Sequence, residues 1–271
     1  MALDFVLAFV GFVTGITAGF FGIGGGEIVV PAAVFAGFSY SHAVGISLFQ
    51  MLFSSLVGSL INYKKGLLDI KEGLAIAGGG LFGAMLGSFL LKRMDDRILM
   101  GLFVAVVCYT FFKYAFIKKG NYPRAHFRLH AHNAHFKIPL IRWNLSKKHA
   151  ILALAGLITG IFSIPLGMGG GILIVPFLGY FLKYDTQKIV PLGLFFVIFS
   201  SLSGVIALTH AGVLAPRILW VGFLVGVGAL AGVGLGIKLI LIATEKIHRV
   251  LLLSIYALSI VATGYKLVTE L

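Results

Sequence analysis

Two glycine-rich blocks carry the clearest chemical signal in this sequence. Residues 22–31 read GIGGGEIVVP, and residues 167–176 read GMGGGILIVP. Each block precedes a short apolar segment, so its glycines stand at a helix start, where free backbone N–H groups and the positive end of the helix dipole attract anions. Glycine has no Cβ to hold a ligand away from those donors. The glycines predicted to bind an anion are Gly24, Gly25, Gly26, Gly169, Gly170 and Gly171.

Polar side chains on the segment after each block are candidates to complete this anion site. Ser47, Gln50 and Ser54 are spaced to share one helical face. In the second half the candidates are Ser200, Ser201 and Ser203. Hydroxyl and amide donors suit an anion, and the alternative is that these groups form hydrogen bonds between helices.

Glu27 directly follows the first glycine block, whereas Ile172 holds the matching position in the second. A carboxylate at membrane depth is costly and indicates function. Burial disfavours its charged form, and the helix start favours it. We predict that Glu27 binds a coupling ion, H⁺ or Na⁺. The alternative is a first-turn carboxylate that stabilises the helix and faces water.

The composition indicates that these motifs lie in a membrane protein. Hydrophobic residues make up 59% of the 271 positions and charged residues only 11%, whereas about a quarter of a soluble domain is charged. Most apolar runs are long enough to cross about 30 Å of hydrocarbon as helices. The sequence therefore predicts an all-α integral membrane protein with ten segments, of which the second and seventh are short: 3–21, 25–38, 42–63, 72–91, 98–117, 149–166, 170–182, 189–210, 218–242 and 250–268.

The two halves of the chain repeat each other. A shift of 145 residues aligns the glycine blocks, and a shift of 146 aligns residues 54–58 with 200–204. Because each half has five segments, the second half must enter the membrane from the opposite side. We therefore predict two inverted repeats, residues 1–117 and 149–271, joined by a loop at 118–148.

The joining loop is strongly basic. It holds eight Lys and Arg and no Asp or Glu, which is typical of a cytoplasmic loop that lies against anionic lipids. With this loop inside, 15 basic residues fall inside and five outside, so both termini are predicted outside. No nucleic-acid-reading module surrounds the loop, so nucleic acid is not an expected partner.

Short, glycine-interrupted segments at matching positions of inverted repeats indicate the binding site of a secondary transporter. Irregular backbone survives at membrane depth only where protein or water surrounds it, so a protein-lined cavity is expected there. The alternative is that the glycines only allow helices to pack closely, as we expect for residues 78–80 and 222–236.

The paired G-x-GGG-x-x-x-P blocks, the basic loop and the repeat resemble the sulfite exporter TauE/SafE family. Where members often carry Gly-Thr-Ser, this chain has Gly45-Ile46-Ser47, and its second half has Pro191-Leu192-Gly193. The resemblance implies transport of a small sulfur-containing anion, such as sulfite or a sulfonate, across a bacterial or archaeal inner membrane. Alternating access coupled to H⁺ or Na⁺ is the expected mechanism. An anion channel and a non-transporting assembly factor are the alternatives, and the oligomeric state is open between monomer and homodimer.

The remaining chemical groups have ordinary explanations. His42 and His210 could relay protons or make interfacial hydrogen bonds, and Cys108 is expected to pack. Catalytic motifs such as G-x-S-x-G and H-E-x-x-H are missing from the sequence, so neither an enzyme nor a cofactor is predicted. The loop histidines fit no closed metal site by spacing: His126, His130, His132 and His135.

Overall fold

The computed structural model describes residues 2–116, 147–184 and 186–269, and these residues form ten α-helices without a strand. In chain order the helices are α1 Ala2–Phe21, α2 Gly26–Phe35, α3 Tyr40–Lys64, α4 Ile70–Arg93, α5 Asp96–Phe116, α6 Lys147–Leu166, α7 Gly171–Phe181, α8 Thr186–His210, α9 Pro216–Ile242 and α10 Glu245–Thr269. One helix stands at each segment predicted from the apolar pattern.

Seven of the described helices are long and apolar enough to cross a membrane, namely α3, α4, α5, α6, α8, α9 and α10. This confirms the predicted all-α integral membrane fold. The helices α2 and α7 have only 10 and 11 residues, shorter than predicted. Each begins after a glycine in the left-handed region, Gly25 or Gly170, which cannot itself belong to the helix.

Glycine stripes hold two helix pairs in very close contact. A Cβ on Gly11, Gly15 or Gly19 of α1 would collide with the backbone of α9 at Val225, Ala229 and Val233. The same holds for Gly79 and Gly83 of α4 against the backbone of α6. These stripes let the helix backbones touch, as small residues do between membrane helices. The packing role predicted for residues 78–80 and 222–236 is thus confirmed at Gly79, Gly228, Gly232 and Gly236.

The contacts also give the relative directions of the helices. Residue numbers rise together along the α1–α9 and α4–α6 contacts, so each of these pairs is parallel. Between α3 and α8, Gly204 lies against Leu48 and Gly58 lies against Leu194, so this central pair is antiparallel. Gly222 and Gly226 of α9 lie against Phe49 and Phe53 of α3, so α3 and α9 are parallel. Because α4 follows α3 through a short turn, α1, α3 and α9 point one way and α4, α6 and α8 the other.

Most of the predicted basic loop, including its four histidines, lies outside the described residues. Only its last two lysines are described, and they differ from the prediction. Lys147 and Lys148 form the first turn of α6 rather than the end of a loop, and the partly exposed Lys148 side chain reaches Glu72 on α4.

Candidate functional site

The two glycine blocks fold into matching turns. Gly22, Gly24 and Gly25 have φ angles of 73°, 100° and 94°, and Gly167, Gly169 and Gly170 have φ angles of 62°, 63° and 72°. Side chains other than glycine strongly disfavour this left-handed region. The repeated spacing of the glycines therefore encodes one backbone shape that occurs once in each half.

The two turns pack directly against each other. A Cβ on Gly26 would lie 2.8 Å from Cα of Met168, and a Cβ on Gly171 would collide with Cα of Ile23. The contacts are reciprocal, because Ile23 and Met168 are matching positions, as are Gly26 and Gly171. The first helical residue of α2 thus rests on the second turn, and that of α7 rests on the first turn.

Two side chains fill the space beside the turns. The sulfur of Met51 lies 2.7 Å from a Cβ built on Gly24 and 2.6 Å from one built on Gly169. Val197, the match of Met51 in the second half, lies 3.5 Å and 3.2 Å from the same two positions. The sequence led us to expect a cavity here. Instead, the glycines without side chains accommodate the thioether of Met51, and the centre is packed.

Three of the predicted hydroxyl groups reach the turns, but as donors to carbonyl oxygens. Ser47 Oγ donates to the Gly167 carbonyl at 2.7 Å. Ser54 Oγ and Ser200 Oγ lie 3.4 Å from the carbonyl oxygens of Gly24 and Gly169, respectively. These bonds satisfy carbonyl groups that helix geometry leaves free, so the serines hold the turns in place.

The other predicted polar groups, Gln50 and Ser201, differ in how fully their hydrogen-bonding atoms are satisfied. Gln50 is fully buried, its Nε2 donates to Ser54 Oγ at 3.3 Å, and its Oε1 has no hydrogen-bond partner. Ser201 bonds instead to carbonyl groups of its own helix, at Val197 and Ile198. A buried amide oxygen without a donor costs free energy, so Gln50 is better suited to meet a ligand than Ser201.

Glu27 lies at the start of α2 with only 1% of its surface exposed. The backbone amide groups of Gly25 and Glu27 lie against its carboxyl group, while Oε1 has no hydrogen-bond partner. From α10, Ser259 Oγ donates to the Glu27 backbone oxygen at 2.5 Å. A buried carboxyl group with one oxygen unsatisfied can take up a proton or a cation.

The two candidate histidines and Ser203 make no hydrogen bond to the glycine turns among the contacts of the described residues. His42 is half-buried in the first turn of α3, and its backbone amide donates to Ser39 Oγ. His210 is exposed at the end of α8. Ser203 is buried on α8, one residue from Gly204, which packs on α3.

Sequence reasoning missed several residues that shape the centre. The backbone oxygens of Thr14 and Thr159 face Gly25 and Gly170 in the two halves. Threonine recurs at the same 145-residue shift as the glycines, so this signal was present in the sequence. Tyr40 was also missed: its hydroxyl donates to the Pro165 carbonyl at 3.0 Å and links the two halves.

The helix starts at the centre, those of α2 and α7, have no side-chain caps. The first residue of each helix is a glycine. Their amide groups therefore approach the middle of the bundle from two opposed half-length helices. Helix starts of this kind favour negative charge.

Comparison with known proteins agrees with this architecture. The family described as sulfite exporter TauE/SafE matches residues 7–263. "Probable membrane transporter protein YunE" of Bacillus subtilis is 23% identical over 279 residues, covering 98% of this chain and 97% of that protein. A "probable membrane transporter protein" of Methanocaldococcus jannaschii is 27% identical over 213 residues, covering 74% of this chain and 71% of its own.

A third relative, from Xylella fastidiosa, also carries the name "probable membrane transporter protein" and is 32% identical over 111 residues, or 38% of this chain and 42% of its own. No solved structure gives a significant match. The family match spans both glycine turns, six of the membrane-crossing candidates and most of the seventh, α10. The chain therefore belongs to the sulfite exporter TauE/SafE family of membrane transporters.

Proposed function

We propose that the protein is a secondary transporter that moves a small sulfur-containing anion, such as sulfite or a sulfonate, across the cytoplasmic membrane by alternating access. The observation that carries this proposal is the reciprocal packing of the two glycine turns. Two uncapped helix starts, one from each half, meet beside Met51 at the centre of the bundle.

The proposal treats the halves, residues 1–117 and 149–271, as inverted repeats. Matching helices α1 and α6 point in opposite directions, and so do α3 and α8. In the repeat, α1 corresponds to α6 and α9 corresponds to α4. The α1–α9 contact and the α6–α4 contact are therefore equivalent, as expected for two equivalent halves. Inverted repeats allow one half to rock against the other around a fixed central site.

In this mechanism the packed centre is the closed, substrate-free arrangement. Met51 and Val197 stand on the central helices α3 and α8, so a shift between these helices withdraws both side chains from the turns. The anion then meets the amide groups of Gly24, Gly25 and Gly26 from one half and of Gly169, Gly170 and Gly171 from the other. Gln50 Oε1, which lacks a donor, faces a protonated substrate oxygen or a bound water.

Coupling to H⁺ or Na⁺ is assigned to Glu27. Its buried carboxyl group stands one residue beyond the first glycine turn, and Oε1 is unsatisfied. An anion at the turns and a cation at Glu27 favour each other electrostatically, which is the physical basis for moving them together. The second half has an isoleucine at the matching position, so it has no equivalent of this carboxyl group.

The membrane orientation follows from charge. The basic loop lies in the cytoplasm against anionic lipids, and both termini lie outside. The helix directions support placing both termini on the same side. If α2 and α7 enter and leave the membrane on one side, the other eight helices cross it, and an even number of crossings returns the chain to the side where it began. The transporter works as a monomer or as a homodimer.

Purified protein in proteoliposomes tests the proposed function. Uptake of sulfite, thiosulfate, sulfoacetate and a carboxylate of similar size is measured with and without imposed pH and sodium gradients. We expect saturable uptake of a sulfur oxyanion that one gradient accelerates. Uptake that does not saturate and ignores both gradients indicates an anion channel, and no uptake of any anion favours an assembly factor; either result contradicts the proposal.

A further inference from the structure

A second charged site lies at the start of α4, away from the glycine turns in sequence. The Glu72 carboxylate accepts hydrogen bonds from Lys148 Nζ at 2.5 Å, Lys188 Nζ at 2.9 Å and Tyr184 Oη at 2.9 Å. Both ammonium groups also lie over the ring of Tyr184, at 5.3 Å and 4.4 Å from its centre. Three donors thus converge on one carboxylate.

The three donors form a receptor for an oxyanion. Two ammonium groups and a hydroxyl are the donor set that carboxylate, sulfonate and sulfite oxygens share. Burial raises the pKa of the Tyr184 hydroxyl, so it remains a donor at neutral pH. Among the described residues the cluster has two cations for one anion, which gives it a net positive charge while Glu72 is bound.

The exposure of the cluster is uneven. The Lys148 and Lys188 side chains are 42% and 37% exposed, whereas the Glu72 side chain is only 5% exposed. Solvent therefore reaches the ammonium groups from one side, and the carboxylate occupies their inner side. An anion that arrives from solution meets the lysines before it meets Glu72.

The cluster also joins the two halves. Glu72 belongs to the first half, and Lys148, Tyr184 and Lys188 belong to α6, the α7–α8 connection and α8 of the second half. Because α4 packs closely on α6, Glu72 leaves these donors by a movement of its own side chain. In the proposed orientation this end faces the cytoplasm, because Lys71 and Lys183 lie beside the cluster in sequence.

We propose that Glu72 is a resident carboxylate in a second oxyanion site, and that the transported anion takes its place on Lys148, Lys188 and Tyr184 as the cytoplasmic side opens. This inference rests on the proposed transport function for the identity of the anion. Exchange of one anion for another keeps both ammonium groups paired, and the released Glu72 carboxylate turns to the solvent that enters as this side opens.

Sulfate binding to the purified protein in detergent tests the site without transport. Affinity is measured from thermal stabilisation at constant ionic strength, with chloride replaced by sulfate. In Glu72→Gln the resident charge is gone, and we expect sulfate to bind about tenfold more tightly than to the unsubstituted protein, the order of effect that one charge-assisted interaction gives. Asp69→Asn is the matched control. It removes the same charge three residues away, at an exposed position, and asparagine retains the helix cap.

Two further variants complete the test. In Glu72→Gln/Lys188→Gln the gained affinity should be lost. Lys188→Gln alone leaves Glu72 paired with Lys148, and it should weaken sulfate binding about tenfold, which keeps the test open if Glu72→Gln does not fold. Equal sulfate affinity in Glu72→Gln and Asp69→Asn, or unchanged affinity in Lys188→Gln, overturns the proposed site.

The two proposals fail in different ways. Sulfate-affinity changes as expected, with no anion transported in proteoliposomes, support the oxyanion site and contradict the transport function. Saturable transport, with sulfate affinity the same in all variants, supports the transport function and contradicts the oxyanion site.

Discussion

Gly24 and Gly169, 145 positions apart in the chain, lie against the sulfur atom of the same side chain, Met51. Neither turn could approach that sulfur if it carried a Cβ. The two glycines therefore belong to one central structure built from both halves, and Met51 occupies its middle.

Gly26→Ala and Gly171→Ala should each destabilise the folded protein by about 1–3 kcal/mol, because the new methyl group collides with the backbone of the opposite turn. Gly101→Ala is the matched control, since a Cβ at Gly101 in α5 meets nothing within 4 Å. Thermal unfolding in detergent measures the difference. Equal unfolding temperatures for Gly26→Ala and Gly101→Ala would mean that the turns do not need their close contact.

Met51→Ala should increase anion flux by making room between the glycine turns. The substitution removes the thioether that lies against both Gly24 and Gly169, so less movement is needed to admit the anion. We expect a several-fold higher uptake rate and weaker dependence on an ion gradient in proteoliposomes.

Met100→Ala provides the comparison for Met51→Ala, because Met100 is an equally buried methionine on α5. It should lower stability through its cavity without raising flux. If both variants change flux alike, lower stability of the whole protein explains the result. Met51 then does not control entry of the anion between the glycine turns.

Glu27→Gln should abolish the stimulation of anion uptake by a pH or sodium gradient, since the amide neither binds a proton at neutral pH nor carries a charge for Na⁺. The protein should still fold, because a neutral side chain is easier to bury than a charged one. Gradient-driven uptake in proteoliposomes is the measurement. Glu27→Asp, which retains an acid, should keep part of the stimulation. Full stimulation in Glu27→Gln would assign coupling to another group.

Much of this arrangement was predictable because it depends on local patterns in the sequence. The glycine blocks fix left-handed turns and helix starts, and long apolar runs fix the membrane helices. The repeat at 145–146 residues therefore placed Gly24 and Gly169 correctly as partners. Ser47 and Ser54 share one face of α3 by their spacing, and Ser200 matches Ser54 at the 146-residue shift, so the sequence indicated hydroxyl groups near both turns.

The remainder depends on contacts that no local pattern records. Met51 is one apolar residue among many on α3, and only the fold shows that it fills the space beside both turns. Glu72 pairs with Lys148 and Lys188, which are 76 and 116 residues away, so sequence spacing gave no sign of the cluster. The direction of the serine hydroxyls, toward carbonyl oxygens, also depends on tertiary packing.

The proposed orientation predicts which turns are reached from each side of the membrane. In a Cys108→Ala background, which removes the single cysteine, Lys65→Cys should react with an impermeant thiol reagent only from the cytoplasm. Lys92→Cys should react only from outside. Both lysines are exposed at the ends of neighbouring helices α3 and α4. Labelling of intact cells and of inverted vesicles measures this, and the reverse pattern would invert the assigned topology.

Uptake of the best-transported sulfur oxyanion should be compared in the unsubstituted protein, Gly169→Ala and Gly101→Ala, each reconstituted as folded protein. A methyl group at Gly169 enters the space between Met51, Val197 and the second turn, where the anion must bind. We predict saturable uptake by the unsubstituted protein and Gly101→Ala, and uptake at least about tenfold slower in Gly169→Ala. Equal uptake in all three would show that the anion crosses the membrane without passing between the glycine turns.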